Sequence, residues 1–381
     1  MIKIASRCRG NLMKGERSPR SRFEAVPPNP FQLPPPSTMS GSTPTEADAR
    51  PSASELLRAV TRALAFGALG IGLFVLPAQG QSPSDQDGRP GAQERQIIDV
   101  HLHALPTEAF PGHIDSLAGF ERPGSSEAVM RRTVDQLERF NITTAITSGS
   151  PELLAKYKQA APDRIIRSLW VPIGLTGDDL RTYLDSLSVW HEQGRFEVIG
   201  EVLTQYSGLA PNDPSLDSLW SFAEREGVPV GVHVGPGVPD TVSGFSPQFR
   251  LRYGDPLDFE EVLAEHPDLK VYLMHAGYPQ LDDMIALLNI YPQVYVDMAG
   301  LPLALPRAEV NRYLRGLVRA GHANRIMFGS DQQIWPQSIQ KSIRVIETAD
   351  FLTEAQKQDI FYDNAARFFG LESQGTGVSQ R

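Results

Sequence analysis

One cysteine, Cys8, is the whole thiol content of this 381-residue chain. Without a second thiol there is no disulfide framework and no thiolate metal site, so any metal must be held by nitrogen and oxygen. Long apolar runs are missing too. The longest, residues 63–76, falls short of the roughly 20 residues that span a bilayer. Positive charge is concentrated at one end. Residues 1–38 carry seven basic and two acidic side chains, a net +5, while the whole chain is −9, which leaves −14 on residues 39–381. That balance argues against a nucleic-acid backbone as the main partner. No Gly-x-Gly-x-x-Gly follows the first strand-like run, so the mark of a dinucleotide-binding, doubly wound sheet is absent.

What is present is ordinary globular composition, 41% hydrophobic and 21% charged, in a chain long enough for one large domain. Residues 1–54 are rich in Pro, Ser, Arg and Thr and are expected to be disordered, with Met39 an alternative start. Arg58 and Arg62 precede the apolar run and Ala78-Gln79-Gly80 closes it. A basic flank, an apolar centre and small residues at the end are the layout of a secretory signal. Residues 55–80 therefore read as a signal peptide cleaved after Gly80, or alternatively as an uncleaved anchor, and residues 81–94 as a polar linker. Cleavage would place the protein outside the cytoplasm, periplasmic or secreted. Membrane contact is expected only without cleavage.

From residue 95 short β-branched runs alternate with helical patterns. The runs cover 97–101, 142–147, 165–172, 198–203, 228–234, 269–275, 294–298 and 325–330. Runs apolar throughout, such as Val271-Tyr-Leu-Met274, suit parallel strands buried on both faces. Eight such β-then-α units predict a (β/α)8 TIM barrel over residues 95–371, followed by a disordered tail at 372–381.

Barrel active sites sit at the C-terminal ends of the strands. Those ends carry His101 and His103, Glu201, His233, His275 and Asp331. On a strand, residues i and i+2 point the same way, so His101 and His103 project together. Taken singly, each residue has an ordinary reading: a hydrogen-bonded core histidine, a salt-bridged glutamate, a helix N-cap at Asp331. Together they form a nitrogen-and-oxygen ligand set. His191, His266 and His322 fall at helix ends and read as surface. His113 lies in the first loop.

The set His101-Leu-His103, Glu201, His233, His275 in Met-His-Ala-Gly-Tyr-Pro and Asp331 in Phe-Gly-Ser-Asp resembles the amidohydrolase superfamily, in its amidohydrolase-related (amidohydrolase 2) branch. The closing Asn364-Ala-Ala-Arg-Phe-Phe-Gly-Leu371 is similar to that branch's final helix. The resemblance implies a metal-dependent hydrolase that uses a metal-activated water on an amide, ester or lactone-type bond of a small molecule. Many relatives bridge two metals with a carboxylated lysine on strand 4, where this chain has Glu201, as TatD-like hydrolases do. One or two divalent ions are thus implied, zinc first, with manganese, iron or cobalt as alternatives.

His101, His103, His233 and Asp331 are expected to hold the first metal. Asp331 is also the candidate general base, and His275 either holds a second metal or polarises the substrate carbonyl. Arg250, Arg252 and Trp335 are candidate substrate contacts, with Arg122, Tyr206 and Tyr278 in similar loops. Two rivals remain. One is a metal-dependent decarboxylase of a small aromatic or unsaturated acid on the same barrel. The other is a metal-binding protein without turnover. A homo-oligomer is compatible with the sequence.

Overall fold

A computed structural model describes residues 95–371 apart from 111–113, 116–118, 238–240 and 245. The N-terminal extension, signal, linker and C-terminal tail expected from the sequence lie outside these residues, as does His113. The eight strands are β1 (Ile97–Ala104), β2 (Ile142–Gly149), β3 (Ile165–Leu169), β4 (Val198–Val202), β5 (Val230–His233), β6 (Val271–Met274), β7 (Val294–Asp297) and β8 (Ile326–Met327). They pair in parallel and in sequence order, β1 to β8. Two backbone bonds then link the last segment to the first, Val100 N–H to Phe328 O at 3.0 Å and Asp331 N–H to His101 O at 2.8 Å. The result is a nearly closed (β/α)8 barrel.

The helices lie outside because each has one apolar stripe. In Ser126–Arg139 the buried positions are Val129, Thr133 and Leu137, four apart, and Ser125 caps the first turn by accepting from Ala128 N–H. Such stripes join the outward residues of the strands in one continuous apolar layer. A second cluster joins Ile98 and Val100 of β1, Ile146, Val198, Tyr272, Met274 and Met327. Residues from five strands can meet only across the barrel's interior. Tyr362, Ala365, Ala366 and Phe368 of the closing helical segment complete this cluster and plug the end opposite the active-site loops. Each large side chain buried this way contributes about 1.5–3 kcal/mol.

Two irregularities aim the functional residues. Between Asp99 and Leu102 β1 has one more residue than β2, and between Ile199 and Val202 β4 has one more than β5. An extra residue reverses which side chains face inward. Ile98 and Val100 face the interior, but beyond the bulge Leu102 and Ala104 join the outer layer, so His101 and His103 turn inward. Likewise Val198 points in and Val202 out, with Glu201 inward. Gly200 is required on that bulge: its φ is +151°, and a Cβ there would lie 2.8 Å from Gly231 O.

Three expectations are corrected. β8 pairs over Ile326–Met327, not 325–330, because from Phe328 onward the chain turns to bond β1. The helical pattern between the third and fourth runs forms two helices, Gly177–Asp185 and Leu187–Glu192. His322 is buried rather than surface, with Nδ1 2.7 Å from the Arg325 guanidinium.

Candidate metal centre

His101 and His103 present Nε2 atoms 3.1 Å apart. Asp331 Oδ1 lies 3.7 Å from His101 Nε2 and 3.1 Å from His103 Nε2. Glu201 Oε2 faces the same pair at 3.6 and 3.5 Å. The other oxygen of Glu201 faces away from them. Oε1 lies 2.5 Å from His233 Nδ1 and 3.4 Å from His275 Nε2, and those two nitrogens are 3.0 Å apart. All six side chains are buried. Three overlapping groups have ligand atoms within 4.8 Å of one another: His101, His103 and Glu201; Glu201, His233 and His275; His101, His275 and Asp331.

Ligands held about 2.0–2.2 Å from one ion lie roughly 3–3.6 Å apart, which is the spacing here. Protonation patterns agree. Asp297 Oδ2 can only accept, so its 3.1 Å contact fixes the proton of His101 on Nδ1. The Ala299 carbonyl, 2.8 Å from His275 Nδ1, does the same there. Both rings therefore turn Nε2 inward, where a bound cation would take the place of any proton. The residues fit a divalent cation.

The local backbone is bent to bring them together. Asp331, His275, Ala276 and Gln333 have φ of 50°, 57°, 49° and 48°, left-handed values that cost on the order of 1 kcal/mol each for non-glycine residues. Gly300 leaves room for two of the ligands: a Cβ there would lie 2.7 Å from Asp331 Oδ2 and 3.0 Å from His275 Nδ1. The hydroxyls of Ser148 and Ser168 donate to Gly200 O at 2.5 and 2.7 Å, which holds the turn carrying Glu201.

Charge is arranged to suit a cation. Burial alone would raise the carboxyls, but His233 holds Glu201, and His101 and His103 hold Asp331, well below the usual carboxylate range. Burial would lower His101, yet Asp297 and Asp331 push it well above its ordinary value. Burial lowers His233, while Glu201 and Asp331 overcome burial and raise His275. Ionised carboxylates thus draw positive charge onto the imidazoles, and a bound cation would replace those protons.

One expectation about grouping changes. His233, expected with His101, His103 and Asp331, places its Nδ1 beside Glu201 Oε1 and His275 instead. The loop arginines bond within their loops. Arg250 donates to the carbonyls of Pro247 and Phe249 at 2.8 and 2.7 Å, and exposed Arg252 donates to Tyr253 OH at 2.9 Å. Arg122 grips Asp115 and the carbonyls of Thr107 and Phe110. Each guanidinium is engaged by its own or a neighbouring loop. Trp335 is buried, stacks on Phe110 at 5.6 Å and donates Nε1 to Asp115 Oδ1 at 2.8 Å. It belongs to an apolar wall with Trp170, Leu203, Tyr206, Phe249 and Ile334. That wall touches the centre through Trp170 against His103 and Tyr206 against His233. Tyr278 points instead to Glu309, 3.3 Å away.

Sequence reasoning passed over two residues. Asp297 ends β7, the same strand-end signal as its neighbours, and also accepts from His275 N–H at 3.0 Å and Ala299 N–H at 2.9 Å. Asp99 accepts from His101 N–H at 3.1 Å and Ser330 N–H at 3.0 Å, and burial pushes its carboxyl up to about 6. Both hold ligand-bearing backbone in place. Replacing Asp297 with Ala frees the His101 ring, and metal affinity is expected to fall about 10–100-fold, as measured by competition with a chromogenic chelator.

A family model described as Amidohydrolase matches residues 98–371, more than two thirds of the chain. The chain belongs to this family. Among solved structures, an uncharacterised TIM-barrel protein from Bordetella bronchiseptica aligns at TM-score 0.55 and 18% identity, over 72% of this chain and 98% of that one. A probable 2-pyrone-4,6-dicarboxylic acid hydrolase from Acinetobacter baumannii aligns at 0.52 and 17%, over 72% and 99%. A 2,6-dihydroxybenzoate decarboxylase from Rhizobium aligns at 0.52 and 17%, over 74% and 100%. At these identities the likeness shows the fold alone. Protein fluG of Emericella nidulans is 22% identical over 161 residues, 38% of this chain and 18% of that protein, so the chain spans less than a fifth of this curated relative. Those solved structures thus include a probable hydrolase and a decarboxylase on the same barrel.

Proposed function

We propose that this amidohydrolase hydrolyses an amide, ester or lactone-type bond of a small molecule, using divalent metal, zinc first, which His101 and His103 on one side of Glu201 and His233 and His275 on the other would hold. The observation that carries this reading is the division of Glu201, with Oε2 toward His101 and His103 and Oε1 toward His233 and His275. His275 then acts as a ligand on the His233 side. Bound there, a divalent cation supplies Lewis acidity and brings the pKa of water down towards about 7.

The chain's own groups do the rest. Asp331 Oδ1 lies on the His103 side, and Gln333 donates its side-chain amide to it, fixing the carboxylate plane. Asp331 Oδ2 is left to take a proton from water and return it to the leaving group. A carboxylate so strongly held ionised is a weak base, so it can serve only a water whose own pKa has been lowered. The wall of Trp170, Tyr206 and Phe249 favours a flat, largely apolar substrate and excludes bulk water. The apolar run at residues 63–76 supports action outside the cytoplasm.

A screen of zinc-loaded protein over lactones, esters, amides and aromatic carboxylates tests the reading. Hydrolysis of a lactone, ester or amide with no carbon dioxide released is expected. Release of carbon dioxide from an aromatic acid, with no hydrolysis, would replace it with the decarboxylase reading.

A further inference from the structure

The four ligand imidazoles are not held alike. His101 and His275 each give the ring N–H that faces away from the centre to an oxygen, Asp297 Oδ2 or Ala299 O. Among the described residues, His103 and His233 have no such oxygen. There, His103 Nδ1 and His233 Nε2 are fully buried and make no hydrogen bond. Each of these rings instead meets an aromatic side chain nearly edge to face. His103 lies 5.5 Å from Trp170 at 60° between planes, and His233 lies 5.1 Å from Tyr206 at 85°. A buried N–H without an acceptor is costly, and an aromatic face is a weak acceptor for it.

We propose that Trp170 and Tyr206 are positioning residues whose ring faces receive the outward N–H of His103 and His233, setting these imidazoles for metal. The inference rests on the metal reading above and adds to it. Each side of Glu201 then has one imidazole anchored by oxygen and one anchored by a ring. When His103 ligates through Nε2, its proton must sit on Nδ1. When His233 ligates through Nδ1, its proton must sit on Nε2. Those are the two orphaned atoms, so the ring faces meet the tautomers that ligation requires. The same two side chains belong to the substrate-side wall, so metal affinity and pocket shape are coupled through them.

The test uses the full chain loaded with zinc and labelled with 15N-histidine. The ring N–H protons of His101 and His275 should resonate downfield, in the hydrogen-bonded range. Those of His103 and His233 should lie upfield, shifted by the aromatic ring current. Trp170→Leu and Tyr206→Leu should abolish the upfield shift of His103 and His233 respectively and weaken zinc binding about tenfold. Trp170→Phe and Tyr206→Phe should restore both. Should a leucine variant fail to fold, the wild-type spectrum decides alone. Zinc uptake with all four ring N–H protons in the hydrogen-bonded range would overturn this inference and leave the metal reading intact. A wild-type chain that takes up no zinc would overturn both.

Discussion

Asp331→Asn is expected to lower turnover about a thousandfold while leaving bound metal nearly unchanged. The amide keeps the shape of the carboxylate and an oxygen that can still accept from Gln333 and still ligate. It cannot take up a proton at neutral pH. Only the proton-transfer role is removed, so metal content and thermal stability should stay close to wild type while kcat collapses. The left-handed backbone at Asp331, with φ of 50°, favours this substitution, since Asn tolerates that region as well as Asp does. Steady-state kinetics on the substrate found by the screen, paired with elemental analysis, separate the two effects. Full turnover in the variant would remove Asp331 as the base, and loss of metal together with turnover would make it a ligand alone.

Stripping the metal is expected to lower the Tm by on the order of 10 °C. A cation present at a thousandfold over its Kd stabilises the folded chain by about 4 kcal/mol, and in a domain of this size each kcal/mol is worth about 2–4 °C. The stripped centre leaves Glu201 and Asp331 buried among imidazoles whose protons alone balance them. Calorimetry before and after a chelator, then after zinc is restored, measures the shift. A Tm unmoved by chelation, in protein shown to have held metal, would mean that the ligands are preorganised by the barrel without help from the ion.

The barrel was legible because its strands are buried on both faces and read as unbroken apolar runs, and because polar residues such as His275 and Asp331 stand where those runs stop. The strand-end rule named the six side chains that cluster at the centre and passed over Asp297. That residue sits within an expected strand and looks like one more polar terminus until its contact with His101 Nδ1 is known. The bulges in β1 and β4 were not legible. Spacing in sequence predicts the facing of His101 relative to His103, but not which way both turn relative to Val100. An extra residue decides that, and it shows only in the pairing with the neighbouring strand. The division of ligands around Glu201 escaped for a similar reason: strand order gives the ends of β4 and β5, not which oxygen faces which ring. Arg250 is held by loop carbonyls and Arg252 by the Tyr253 hydroxyl, contacts a guanidinium makes as readily as one to a substrate carboxylate, and no sequence pattern tells them apart.

The metal count of the purified protein, compared with that of Glu201→Ala, tests the centre divided by Glu201 most directly. After saturation with zinc and removal of the excess, elemental analysis should find two ions per wild-type chain and a clear loss in the variant. A wild-type chain that retains no divalent ion under those conditions, or a variant that retains as many as the wild type, would contradict it.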